Sequence, residues 1–424
     1  MAFEMIPTDR PAKPIKVIDA PCGAGKTSWA IQMMNAGEGP FMFVTPFLDE
    51  VTRIRKDCPR CNFVEPMPDR KAGRHNKRAS LKEHLANGRN IVTTHKLFQD
   101  VDQDAVELVR LGGYTLILDE VMDVITHYDT VSRKDIEMLL DKGLLAISDD
   151  GQTLRAPEGV DYTGRLQDVI RLAALNRLIL VNENVLLWLF PVDVLEAFDE
   201  VWNLTYMFHG QIQKYYYDLH RLHYEYFAVS LDSTGGRYVL HNPEPSDDFA
   251  FRASVQKLVN IYLGKLNRVG DDPRGLSYNW FNKQGKAVLE MVGRNIRNFF
   301  LSVGAKGKAA LWTCFNPHRA GITGHRALNG FSSCHLAHNA RAVNSHRHKS
   351  ALAYCVNKFP APEICNFFQA TGVQVDKDAY ALSSLIQWLF RSRLRKMQPV
   401  DLFIPSRRMR QLLEGWLNPG VVPD

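Results

Sequence analysis

Short apolar, β-branched runs alternate with helical stretches through the first half of the chain. Residues 15–19, 41–45, 90–95, 114–118 and 201–206 each read as a strand of buried type, continuously apolar at 114–118 and with a polar tip at 90–95. Residues 28–34, the tail of 46–54 and a stretch ending near Leu85 carry helical spacing between them, and 71–78 is a basic loop. Buried strands alternating with helices predict a parallel, doubly wound α/β sheet. Ligands of such sheets sit at the carboxyl ends of the strands. Lys26, Thr45, Thr94, Asp119 and Thr205 all fall at those ends.

Residues 126–180 change style. Helical periodicity at 134–145 and 166–178, around a polar turn at 149–151, reads as a helical insertion behind the fourth strand. Beyond it, 224–229, 309–315 and 400–405 read as strands, 255–267 and 287–301 as helices, with loops at 247–249 and 270–275. The second half thus repeats the style of the first.

At 424 residues and 45% hydrophobic, the chain can bury two ordinary cores. No apolar run approaches the roughly 20 residues of a membrane span, and no charged leader precedes an apolar stretch at the start. The expectation is a cytoplasmic protein with no membrane partner. Seven scattered cysteines give no disulfide framework, and the lone pair Cys58/Cys61 reads as free thiols rather than half a zinc site. The net charge of +6 hides an asymmetry: residues 281–424 hold 20 Lys/Arg against 7 Asp/Glu. A basic C-terminal third points to a polyanion, and nucleic acid is the first candidate.

The chemistry concentrates in residues 20–27, Ala-Pro-Cys-Gly-Ala-Gly-Lys-Thr, directly after the first strand. Gly23 and Gly25 let successive N–H groups turn inward on phosphate oxygens. Pro21, Cys22, Gly23, Ala24, Gly25, Lys26, Thr27 and Ser28 would wrap a nucleoside triphosphate, with the helix N-terminus and Lys26 supplying positive charge and the Thr27 hydroxyl ligating Mg2+. The strand 114–118 ends in Asp119-Glu120. Asp119 there would hold the Mg2+ shell, and Glu120 would orient and deprotonate the attacking water. ATP and Mg2+ are the cofactors this pattern predicts.

In this order the pieces resemble superfamily 2 helicases of the DEAD/DEAH type, in particular the compact versions carried by bacterial viruses. Residues 20–27 and Asp119-Glu120 match their ATP motifs. Thr45-Pro46 with Arg53, Val92 to His95, and Leu204 to Tyr206 resemble further motifs of the first domain. Residues 312–315, 338–341 and 387–395 lie where those of the second are expected. The resemblance implies two RecA-like P-loop NTPase domains, 12–207 with an insertion at about 126–180 and 208–424. ATP would lie between them, and Gln387 would join the nucleotide site. Arg391 or Arg395 would stabilise transition-state charge, with Arg393 as rival. Gln387, Arg391 and Arg395 recur every four residues, a spacing that one helix face would align.

Thr45, Arg53, Thr94, His95, Arg341 and Asn344 are the candidates for backbone contacts to single-stranded or forked nucleic acid. The histidine-rich stretch 335–349 reads as a phosphate-facing patch, and Tyr215 to Tyr217 as core rather than a base-stacking platform. By analogy with the viral relatives the track is DNA before RNA, and other replication proteins are partners. The acidic box departs from type, reading Asp-Glu-Val-Met with Asp123 following. Two other classes fit a phosphate loop with a basic tail: a DNA-packaging terminase-type ATPase, and a nucleic-acid-binding protein that uses ATP only as a switch.

Overall fold

The structure, a computed structural model, describes residues 13–69, 75–181, 185–340 and 344–418. Four strands alternate with helices first: β1 (Ile15–Asp19), β2 (Phe41–Thr45), β3 (Ile91–Thr94) and β4 (Thr115–Asp119). An insertion follows, with β5 (Ile125–His127), β6 (Ala146–Ile147), β7 (Thr153–Arg155), β8 (Leu178–Val181) and β9 (Val185–Leu189). The chain then returns through β10 (Glu200–Thr205), β11 (Tyr224–Leu231) and β12 (Tyr238–His241). The last four strands are β13 (Val259–Ile261), β14 (Ala310–Thr313), β15 (Ala351–Tyr354) and β16 (Val400–Phe403).

The first sheet has seven strands in the order β12-β11-β1-β10-β4-β2-β3, parallel except for the β11–β12 hairpin. The second has four, β13-β16-β15-β14, all parallel. Both are the RecA-like α/β layers that the apolar runs predict. Side chains alternate across the first sheet, as strand geometry demands. Ile15 and Val17 of β1 join one core with Met42, Val44, Leu116 and Leu118, while Ile18 joins the opposite one with Phe43, Ile117 and Leu204.

Several sequence expectations need correction. The boundary at 207/208 cuts the first sheet, because β11 pairs with β1 and carries β12 beyond it. The expected helix at 255–267 is instead the end of helix Pro245–Gln256, then β13, then a 3-10 turn. Pro245 at the first helical position starts that helix ahead of 247–249, so the stretch read as a loop is helical. The insertion has helices near those expected, Arg133–Asp141 and Gln167–Ala174, and also a five-stranded antiparallel sheet, β5-β9-β8-β7-β6. Its strands are too short for their alternation to stand out against neighbouring helical spacing.

The domains are not connected by the chain alone. Helix Pro362–Ala370, after β15, places Phe367 and Phe368 in the apolar core on one face of the first sheet, with Val375 beside them. The Phe368 ring lies 6.2 Å from that of Tyr215, whose hydroxyl accepts from the Asp376 amide at 3.0 Å. Gly210 is pressed on helix Lys377–Leu389, where a Cβ would meet the Ala379 carbonyl oxygen at 2.4 Å. Among the described residues no helix is long and apolar enough to cross a membrane.

Candidate nucleotide site

Register puts the functional tips level. Asp19 of β1 pairs with Thr205 of β10, Leu204 with Asp119 of β4, and Thr45 of β2 with Thr94 of β3. The loop after β1 turns at Gly23 (φ 98°) and Gly25 (φ 103°), left-handed backbone that glycine adopts without strain. Gly25 then caps helix Lys26–Ala36, whose first turn contains no acidic residue to spoil its attraction for an anion. The buried Lys26 ammonium donates to the carbonyls of Ala20 and Pro21, within the loop.

Asp119 gathers the loop and the strand tips. One carboxylate oxygen accepts from Thr27 Oγ1 at 3.2 Å, the other from Thr45 Oγ1 at 3.4 Å. Its carbonyl lies 3.2 Å from His95 Nε2. Burial, reinforced by the negative charges of Glu120 and Glu50, pushes the Asp119 pKa up to about 7. A divalent cation would relieve that penalty, so the donor set fits a Mg2+ ion on Thr27 and Asp119. Glu120 follows with φ 68°, its amide donating to the Leu204 carbonyl at 2.9 Å. The left-handed bend turns the chain out of the sheet one residue after Asp119.

The structure places Thr45 and His95 as buried partners of Asp119 rather than on the open surface. Arg53 is held by Glu50 at 3.1 Å and Asp57 at 3.3 Å along its own helix. Thr94 stays partly exposed at the tip of β3. Arg341 lies outside the described residues, and Asn344 opens a 3-10 turn, Asn344–His346.

The second domain reaches the loop through residues after helix Lys377–Leu389. That helix ends before Arg391, so Gln387, Arg391 and Arg395 do not share a helical face as expected. A 3-10 turn, Arg393–Lys396, carries Arg395 back instead, with its Cγ 3.8 Å from where a Gly23 Cβ would stand. Burial raises the Cys22 thiol's pKa; the charge of Lys26 pulls it down, that of Glu120 pushes it up, and those of Arg391 and Arg395 pull it down. Arg393 turns away and donates to the Pro399 carbonyl. Gln387 sits on the helix with its side-chain amide nitrogen buried.

Sequence reading missed Asp19. Its carboxylate accepts from the Met207 amide at 2.7 Å and the Phe208 amide at 3.0 Å, and Ala20 donates to the Thr205 carbonyl at 3.1 Å. The loop is thereby bonded to the segment that packs on the second domain. An acid ending a strand just before a phosphate loop was the available signal.

The SPbeta prophage-derived uncharacterized protein YonV of Bacillus subtilis (strain 168) is 39% identical to this chain over 417 residues, covering 95% of this chain and 98% of that protein. The chain belongs to the YonV family. Residues 253–417 match the YonV C-terminal Rossmann-like domain, which starts just before β13 and so contains the whole second sheet. Two solved structures share the architecture of this YonV-family chain end to end. An XPD helicase aligns with TM-score 0.54 at 11% identity over 95% of this chain and 94% of its own. Xpd4 of S. tokodaii aligns with TM-score 0.50 at 12% identity over 96% and 94%. At such identities the likeness is one of fold.

Within the YonV C-terminal domain two histidines of the stretch 335–349 pack on aromatic rings. His335 packs on Trp312 at 4.7 Å and His338 on Phe315 at 5.1 Å. Burial pushes their pKa values down to about 4 and about 3, so both rings are neutral near pH 7. The tyrosines Tyr215, Tyr216 and Tyr217 are core, as read. Cys58 and Cys61 are buried free thiols, and Cys61 Sγ donates to the Met34 carbonyl.

Proposed function

We propose that this protein is an ATP-dependent nucleic-acid motor of superfamily 2, DEAD/DEAH-like in its acidic box. It couples hydrolysis between its domains to movement along a single strand, with phage DNA in replication as the track and other replication proteins as partners. The observation that carries the reading is Arg395 of the second domain lying beside a loop that Thr27 ties to Asp119. A binding protein needs the loop; a hydrolase built across two domains also needs the arginines and the carboxylate beside Asp119.

Lys26 and the N–H groups of residues 22–28 would hold the phosphates, and Gln387 would complete the nucleotide site. Mg2+ on Thr27 and Asp119 would neutralise charge on the terminal phosphates. Glu120 would take a proton from water as its oxygen attacks the γ-phosphorus; the bond to the β–γ bridging oxygen breaks, giving ADP and phosphate. Arg391 or Arg395 would stabilise charge on the transferred group. Asp19, bonded to the backbone at 207–208, supplies a route by which the state of the loop reaches the second domain. Nucleic-acid contacts would use Thr94 and the basic second domain, including Arg341 and Asn344.

Strand displacement on forked DNA and forked RNA, with ATP and with a non-hydrolysable analogue, tests this reading. Displacement of the DNA fork that requires hydrolysis is expected. Binding without displacement on either fork would reject it.

A further inference from the structure

The phosphate loop leaves open what holds the rest of the nucleotide. Resting on the nucleotide reading above, we propose that the Tyr238 ring is the platform on which the base of the bound nucleotide stacks.

Direction comes first. The loop's terminal-phosphate end faces Asp119, on β4, which lies to one side of β1 beyond β10. Phosphates nearer the nucleoside run past Ser28, so the ribose and base leave on the opposite side of β1. That side is β11 and β12. β11 pairs with β1 only as far as Ile18↔Phe227 and then runs on to Leu231, alongside the loop. The hairpin returns there, and the Leu231↔Tyr238 pair sets Tyr238 at the loop end of the sheet.

Contact comes second. A Cβ on Gly25 would stand 1.9 Å from Tyr238 Cε1 and 2.7 Å from its Cζ, so the ring rests on the bare α-carbon of the loop. Gly25 is thus required twice, for its φ and for this approach. The Tyr238 amide donates to Gln32 Oε1 at 2.8 Å, fastening the hairpin to the helix that follows the loop. The ring itself is only partly buried. One side of it packs on the core that holds Trp29 and Trp202, whose own rings lie 4.5 Å apart. A fixed, half-open ring beside a phosphate cradle suits a planar base, because every base offers a π-face. Stacking of this kind prefers nucleotides to bare polyphosphate without choosing strongly among bases.

The test is calorimetric titration of the full chain with Mg-ADP and, separately, with Mg-tripolyphosphate, which has no base. Tyr238→Ala should weaken ADP about tenfold and leave tripolyphosphate unchanged. Tyr238→Phe and Tyr238→Trp should restore ADP affinity. Equal weakening of both ligands in Tyr238→Ala, or of neither, overturns the stacking role. A wild type that binds ADP no better than tripolyphosphate overturns it too, yet leaves the motor reading intact. A wild type that binds neither ligand overturns both.

Discussion

Phe368→Ala should loosen the two domains from one another. Phe368 is fully buried, and the core it joins is built on the first sheet although β15, just upstream, belongs to the second. Truncating a fully buried phenylalanine costs roughly 3–5 kcal/mol, transfer and cavity terms together. That is a large share of the roughly 5–15 kcal/mol by which native proteins are stable. For 424 residues unfolding together, an entropy of about 2 cal/mol/K per residue turns such a loss into a fall in Tm of about 5 °C. The loss falls on an interdomain contact, so the variant should also lose cooperativity. Scanning calorimetry should show one transition in the wild type and an earlier, split transition in Phe368→Ala. Tyr215→Phe removes the hydroxyl that accepts from the Asp376 amide and donates to the His209 carbonyl, and should cost about 1–2 kcal/mol without splitting the transition. A Phe368→Ala protein that melts at the wild-type temperature in one transition would refute the idea that this contact couples the domains.

The arginines should separate by position. Arg391→Ala or Arg395→Ala should lower kcat by on the order of 10³-fold, whereas Arg393→Ala, whose side chain bonds within its own domain, should stay near wild type. Equal losses in all three variants would place the effect in folding instead. His338, held down to about pKa 3 by burial, with the charge of Lys358 and, once protonated, of His335 adding to it, should make the protein acid-sensitive. The unfolded state takes up its proton first as pH falls, so this contribution is complete above about pH 6.5 and is lost toward pH 3. Urea midpoints should therefore drop from pH 7.5 to pH 5, less steeply in His338→Phe; parallel profiles would contradict this.

The first sheet was legible because its strands are buried on both faces and their tips carry the chemistry: β1, β2, β3, β4 and β10 all lie near the apolar runs that announced them. β12 and β15 escaped notice, the one a four-residue strand at an edge, the other behind a run of histidines and basic residues. The phosphate loop and Asp119-Glu120 were readable because each residue type there has a local reason. Thr45 and His95 are buried against Asp119, which the sequence could not show, since a polar residue at a strand tip looks alike whether it faces solvent or a buried carboxylate. Arg391 and Arg395 were expected on one helix face with Gln387. Their spacing suggested a helix, but the helix stops at Leu389 and a 3-10 turn brings Arg395 back. Asp19 and Tyr238 act through partners far along the chain, a pairing that no local pattern carries.

The central claim is that this fold hydrolyses ATP and couples turnover to nucleic acid. Its most direct test is steady-state phosphate release by the wild type, Lys26→Ala and Glu120→Gln, each alone and with single-stranded DNA or RNA. The account predicts turnover by the wild type that single-stranded DNA stimulates, with both variants inactive and Glu120→Gln still binding ATP. Nucleotide binding by the wild type with no turnover on either nucleic acid would contradict it.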